Sequence, residues 1–342
     1  MGFTRARARH QNTVCAGIFK VSGPGGLVGC LYQVFTKAAN LSGPMSPETC
    51  REVIVRRVSK NAYAELYFWG CNPSFVATSD GVVMIDTPQQ PIDCMRWRDR
   101  MLEHGPIRHL INTEPHGDHI RGNAYFPGVE VIAQSKLLPR YEAQIPQMTS
   151  PEMLETMKQN DPDSVWLFNH PDFPPNPPTR LFDEELTFHL GNHTFNCIHL
   201  PGHTAPQTAI HVPEEGVVFT GDNIFFKCKT FVQEADPWEW LDALKAIEAL
   251  DVEAIIPGHG EVCDRSYLKQ QGEIVQGWID LVEDYVRRGL TEDEAVALPV
   301  EVSKIDPYPI GQRLFPLSER LNGMNVRNVY KHVVERQASK SN

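Results

Sequence analysis

Asn112-Thr113-Glu114-Pro115-His116-Gly117-Asp118-His119 is the stretch that decides the reading of this chain. Glu114, His116, Asp118 and His119 place metal-ligand side chains at offsets 0, 2, 4 and 5. The run before it, Ile107-Arg108-His109-Leu110-Ile111, reads as a short buried strand. A ligand-rich loop after a rigid strand can aim its side chains with little steric conflict. In an extended segment residues i and i+2 point the same way, so Glu114 and His116 can reach one metal. Past Gly117 the chain turns, and Asp118 and His119 can aim at a second point nearby. Imidazole and carboxylate suit zinc, and also iron or manganese. The alternative reading of the loop by itself is a polar surface turn with two solvated histidines.

Three further stretches repeat the arrangement. Leu200-Pro201-Gly202-His203-Thr204 follows the strand-like Thr194 to Leu200, and Phe219-Thr220-Gly221-Asp222-Asn223 follows Val217 to Phe219. Ile255-Ile256-Pro257-Gly258-His259-Gly260 follows a third apolar run. Each sets one ligand-type residue beside Gly, which lets the backbone turn sharply. A lone His or Asp at such a turn is usually structural, but four such loops in this order are hard to explain that way.

These residues resemble the metallo-β-lactamase superfamily, whose usual loop is His-x-His-x-Asp-His followed by Gly-His, Gly-Asp and Gly-His-Gly. The resemblance covers about Arg57 to Gln271. It implies an αββα sandwich with a C-terminal helical addition. It places His116 and His203 in a first metal site and Asp118, His119 and His259 in a second, with Asp222 between them. Glu114 stands where the family usually has His. Glu is the harder ligand, so Glu114 is expected to move preference toward manganese or iron, to weaken the first site, or to transfer protons. Three carboxylates, Glu114, Asp118 and Asp222, face four positive charges if two divalent ions bind. The expectation is one or two zinc ions per chain, iron or manganese being alternatives, with the Asp118/His119/His259 site filled and the first site partly occupied. The resemblance further implies hydrolysis by a hydroxide made on the metal, with Asp118 orienting the water and moving its proton.

Composition bounds the rest. A chain of 342 residues, 41% hydrophobic, is long enough to bury a real core. Its net charge of −11 disfavours a nucleic-acid partner, since phosphate binding needs a positive face. The eight cysteines are scattered without Cys-x-x-Cys, which reads as reduced thiols in a cytoplasmic enzyme; the resemblance implies a small-molecule substrate. Cys228 reads as a small buried hydrophobe or a pocket wall. The run Cys15 to Phe35 is interrupted by Lys20 and Ser22 to Gly26, so it does not read as a membrane span.

In chain order, residues 1–52 read as a basic extension, disordered or preceding a true start near Met45. Residues 53–264 read as the catalytic domain and 265–342 as a helical extension packed on it. Val53 to Leu66, Ser74 to Ala77 and Val82 to Asp86 read as strands, and the resemblance gives Asp86 a supporting role behind the metal loops. Ile92 to His104 reads as a helix, then Ile107 to Thr113 as a strand; Val129 to Ala133 is another strand. Leu137 to Asn160 is mostly helical. Asp161 to Arg180, rich in Pro and aromatic rings, reads as a lid over the site or as a packed surface loop. His189, His193, His199 and His211 lie on strands 186–199 and 208–212 and read as structural. A helix opens at Asp236-Pro237, with Trp238, Leu241, Leu244 and Ile247 as its expected core face. Ser266 to Arg288, a capped turn from Thr291, and Asn325 to Arg336 are helical. They are expected to pack on the sheet, shape the pocket mouth or make a homodimer contact.

Tyr67 to Pro73 and Pro201 to Pro206 resemble the branch that contains chlorothalonil hydrolytic dehalogenase. That favours a chlorinated aromatic substrate. A β-lactam, lactone or thioester is the alternative, and an iron-dependent oxidoreductase on the same fold is a second one.

Overall fold

A computed structural model describes residues 53–310 and 317–341; the extension expected over residues 1–52 lies outside them. Two sheets account for the strands. The first runs in the order β1 (Val55–Arg57), β2 (Ala62–Glu65), β3 (Ser74–Thr78), β4 (Gly81–Ile85), β5 (Ile107–Ile111), β6 (Glu130–Gln134) and β7 (Arg180–Phe182). The second comprises β8 (Glu185–Leu190), β9 (His193–His199), β10 (Thr208–Val212), β11 (Val217–Phe226) and β12 (Ala254–Gly260), in the reverse order across the sheet. Each sheet opens as an antiparallel meander and closes with parallel pairs, β4–β5–β6–β7 and β11–β12. Parallel neighbours need a long crossover. Helix α1 (Pro91–Leu102) joins β4 to β5, and α5 (Pro237–Glu248) joins β11 to β12.

Alternation along the strands sorts the layers. Val83, Ile85, Ile111 and Ile132 of the first sheet meet Phe195, Ile210, Phe219 and Ile256 of the second in one buried cluster. The other face of the first sheet packs on α1, where Phe75 meets Trp97 edge-on at 5.2 Å between ring centres. The other face of the second sheet, with Val218 and Ile255, packs on α5, α6 (Ser266–Arg287) and α8 (Ser318–Ser341). This is the αββα sandwich expected from the sequence. Strand β4 is buried along its whole length because both its faces are covered.

Three local expectations change. The helical stretch after Leu137 divides into α3 (Leu137–Met148) and α4 (Pro151–Asn160), because Ser150 caps the second helix through Met153 N and Pro151 takes its first position. The buried stripe of α5 is Trp240, Ala243, Leu244 and Ile247. Trp238 and Leu241 lie at its edge, and Arg336 stacks over Trp238 at 4.6 Å. The Trp240 indole N–H donates to the Asn223 carbonyl at 2.9 Å, and that bond turns the helix face. Lastly, Asp222 and His259 lie inside β11 and β12 rather than beyond strand ends. Gly221, at φ +48, marks a register shift between these paired strands where a strand end was expected.

Helix α7 (Glu292–Ala297) begins with the expected capping box between Thr291 and Glu294. Helix α8 is longer than expected; Val326, Val329 and Val333 bury its inner stripe. Among the described residues no helix is long and apolar enough to cross a membrane.

Candidate metal centre

The segment after β5 is held from behind by Asp86, at the end of β4. Asp86 adopts φ +53, a left-handed conformation that Asp tolerates better than most residues. Its carboxylate accepts from Thr113 N at 2.8 Å, from Thr113 Oγ1 at 2.6 Å and from His119 Nδ1 at 2.8 Å. The last bond fixes the His119 ring and leaves its Nε2 facing forward, as outer partners of metal-binding histidines do. His203 is fixed in the same manner: Nδ1 donates to the Phe231 carbonyl at 2.8 Å, and its backbone N–H donates to Asn223 Oδ1 at 3.1 Å. Asn72 ties down the His259 strand by donating to the carbonyls of Pro257 and Gly260. Gly258 is required on that strand, because a Cβ there would collide with Oδ1 of Asp222.

All seven residues singled out in the sequence converge. Glu114, His116, His203 and Asp222 bring donor atoms within 4.8 Å of one another, and so do Asp118, His119 and His259. His119 Nε2 lies 3.1 Å from both Glu114 Oε1 and Asp222 Oδ1, so the two groups adjoin. Asp222 Oδ2 lies 3.3 Å from His259 Nε2 and 3.6 Å from His203 Nε2. Asp118 Oδ2 lies 3.3 Å from His259 Nε2. Glu114 is fully buried at 0% exposure, with its carboxylate against His116 Nδ1 as well as His119.

The donor set fits a cation. His119 Nε2, Glu114 Oε2 and Asp222 Oδ1 are buried without hydrogen-bond partners. A ring nitrogen and two carboxylate oxygens facing one another out of water are costly unless positive charge lies among them. The crowded carboxylates also act on the histidines. Burial opposes charge on His116, His119 and His259, yet the surrounding carboxylates outweigh it and hold all three well above the usual range. Burial also works against the carboxylates of Asp118 and Asp222, but His119 and His259 overcome it and hold both below theirs. For His203 burial prevails and its pKa falls. Its Nδ1 keeps a proton to donate to Phe231, so the neutral ring presents a lone pair at Nε2.

Two neighbours were not foreseen. Cys71 Sγ lies with Asp86 and His119 in a third small cluster, and burial pushes its thiol up to about 12. Glu234 links the centre to α3 through His116 Nε2 at 3.5 Å and through Arg140. The other strand histidines stay apart: His193 Nε2, for example, pairs with Glu215 at 2.7 Å. Cys228 packs against the α5–α6 core.

A cavity of about 1010 Å³ opens beside the centre, lined in part by Trp69, Tyr125, Met148, Met153, Met157 and Phe173. Residues 161–180 form one of its walls, and they are also anchored. Ser164 Oγ accepts from Ile92 N at 3.0 Å, and Leu167 is fully buried. The segment is thus a packed loop, as one of its two readings expected, and it also lines the cavity; its lining does not by itself make it a lid over the metal centre. Contact with the centre runs through Gly70, where a Cβ would lie 3.0 Å from Asp118 Cβ and 3.1 Å from Gln89, a cavity residue.

The sequence pattern of the metallo-beta-lactamase superfamily matches residues 66–259. A beta-lactamase-like protein 2 homolog of Caenorhabditis elegans is 23% identical over 223 residues, 64% of this chain and 62% of the relative. The atrochrysone carboxyl ACP thioesterase AgnL7 of Paecilomyces divaricatus is 24% identical over 230 residues, 65% of this chain and 60% of the relative. The chain thus spans less than two thirds of the length of these curated relatives. Among solved structures, the inverting sec-alkylsulfatase Pisa1 from Pseudomonas sp. superposes with a TM-score of 0.58 at 17% identity, covering 81% of this chain and 49% of that one. That likeness shows the fold alone.

Proposed function

The chain belongs to the metallo-beta-lactamase superfamily, and from that premise we propose that it is a metal-dependent hydrolase of activated acyl compounds, thioesters first among them. The observation that carries this reading is the buried convergence of Glu114, His116, Asp118, His119, His203, Asp222 and His259, in which three buried ligand atoms make no hydrogen bond. Glu114, His116 and His203 would hold one ion and Asp118, His119 and His259 another, with Asp222 shared. When bound, such ions supply Lewis acidity and make a water acidic enough to deprotonate near neutral pH. Zinc, iron and manganese all accept this donor set, and three carboxylates tilt it toward the harder ions.

The remaining work falls to the chain. Asp118 packs against Gly70, which also abuts Gln89 of the cavity wall, and it is held ionised by His119 and His259, so its carboxylate can orient an attacking water and accept its proton. Asp86 keeps His119 in one tautomer throughout. The methionine-rich wall takes up the apolar part of the substrate and excludes water from the reacting end. The thioester class is supported by the printed name of the fungal relative and by the size of the cavity.

A second reading, hydrolytic replacement of chloride on an aromatic ring, is favoured by the rings of Trp69, Tyr125, Phe168 and Phe173 around the same cavity. Thiol release from a medium-chain acyl thioester and chloride release from a chlorinated aromatic nitrile, assayed side by side on metal-loaded protein, separate the two. Thiol release abolished by chelation and restored by metal supports the first reading. Chloride release with no thiol release replaces it with the second, and turnover that survives complete chelation overturns both.

A further inference from the structure

Arg121 stands where the metal centre meets the cavity. It is the residue that ends α2 (Gly117–Ile120), the short helix carrying Asp118 and His119. Its guanidinium folds back over Gly117: a Cβ on that glycine would lie 2.8 Å from Arg121 Nη2. Any residue but glycine between His116 and Asp118 would displace the arginine. The side chain is largely withdrawn from water, and its Nε is buried with no hydrogen-bond partner. Among the described residues no carboxylate comes within ion-pair distance of it; the charge acting on it is that of Asp118.

Such an arrangement is costly for a protein to maintain without a ligand. Arginine keeps its charge, so the orphan donor cannot be relieved by losing a proton. Among the described residues that line the cavity it is the only Lys or Arg, and Asp161 is the only Asp or Glu. Among the described residues no ion pair joins Asp161 to Arg121, and Asp161 is hydrogen-bonded by Ser164. Among the described residues Arg121 is thus the one permanently cationic group on the cavity wall, beside Gly117 and Asp118, and methionine and aromatic side chains line the wall beyond it. A planar guanidinium with free donors matches a carboxylate in two-point fashion.

We propose that Arg121 anchors a carboxylate of the substrate beside the bond to be cleaved, and that the natural substrate is an amphipathic acyl compound with an anionic group near its reacting end and an apolar body along Met148, Met153 and Met157. This rests on the hydrolase reading for the word substrate, but the anchoring itself is a statement about binding. Binding is therefore the test. A long-chain thioether carboxylate and its primary amide, neither of which has a cleavable thioester, are titrated calorimetrically into metal-loaded wild type, Arg121→Met and Arg121→Lys.

In wild type the carboxylate is expected to bind about 10- to 100-fold more tightly than the amide, as a charged hydrogen-bond pair implies. That ratio falls to about one in R121M, and R121K, which keeps the charge without the fork, lies between. Elemental analysis confirms that each variant retains its metal, which guards against reading a misfolded centre as lost anchoring. A ratio unchanged in metal-retaining R121M, or no preference in wild type, overturns the proposal. If the ratio behaves as expected while no thioester is turned over, Arg121 still anchors a carboxylate ligand and it is the hydrolase reading that fails.

Discussion

The metal centre and the cavity beside it are built on different supports. Glu114 to His119 follow β5, His203 follows β9, and Asp222 and His259 lie within β11 and β12. The donors are thus fixed by sheet hydrogen bonds and by Asp86, Asn72 and Asn223 behind them. The cavity is walled by α3, α4 and the proline-rich residues 161–180, which are anchored to the sandwich by contacts such as Tyr141 on Ala133, Ser164 on Ile92, Asn176 on the Phe126 carbonyl and Gln144 on the Pro115 carbonyl. Rigid strands hold donor atoms to the tolerance a cation needs, whereas a methionine-lined wall adapts to the shape of what it binds. Chemistry and specificity should therefore be separable by mutation.

The largest effect belongs to the centre. Asp86→Ala removes three hydrogen bonds, including the one that orients His119, and should lower metal affinity roughly 10- to 100-fold. Competition against a chromophoric chelator measures this directly. On the cavity side, Phe173→Ala should leave metal content intact, raise KM and cost about 2–3 kcal/mol in urea unfolding. Phe173 is buried against Tyr125 at 5.3 Å but borders a space that is already open, so the loss falls below that of a core phenylalanine. If Phe173→Ala stripped the metal, the separation of wall from centre would be wrong.

The loop 66–73 belongs to both regions, since Trp69 lines the cavity and Gly70 abuts Asp118. Glu65 anchors it by accepting from Tyr67 N at 2.8 Å, and burial pushes its carboxyl up to about 7. In the unfolded chain it titrates near the ordinary 4.5. Between those values the unfolded chain has released the proton and the folded chain has not, so stability falls as pH rises through that window and then levels. Glu65→Gln should abolish this slope, gaining about 1–2 kcal/mol on wild type at about pH 8 and almost nothing at about pH 4. Parallel slopes in the two proteins would show that Glu65 is ionised throughout. The smallest effect is that of Glu234→Gln, which weakens the exposed bridge from His116 to Arg140. A few-fold change in metal affinity is expected there, because surface pairs are screened.

The same contrast governs what the sequence made legible. The seven donors stood out because each is a ligand-type residue beside Gly after an apolar run, and the αββα order followed from strands separated by helical periods. Strand continuity through Asp222 and His259 was hidden, because Gly221 and Gly258 read as strand ends when they are a bulge and a close-approach site. The face of α5 was misplaced toward Trp238, since periodicity cannot foresee the indole bond from Trp240 to Asn223. Arg121 and Cys71 carried no local signal: one is an arginine in a polar turn and the other a lone cysteine. Their positions depend on the packing of distant segments, with Gly117 under the guanidinium and Asp86 and His119 beside the thiol.

The most direct test is the metal content of the purified chain after exhaustive dialysis, measured by elemental analysis for wild type and Asp222→Ala. Asp222 is the carboxylate shared by both groups of donors. The account predicts that wild type retains between about one and two equivalents and that the variant loses most of them while remaining folded. A wild type that binds no transition metal, or an Asp222→Ala protein that keeps the full complement, would contradict it.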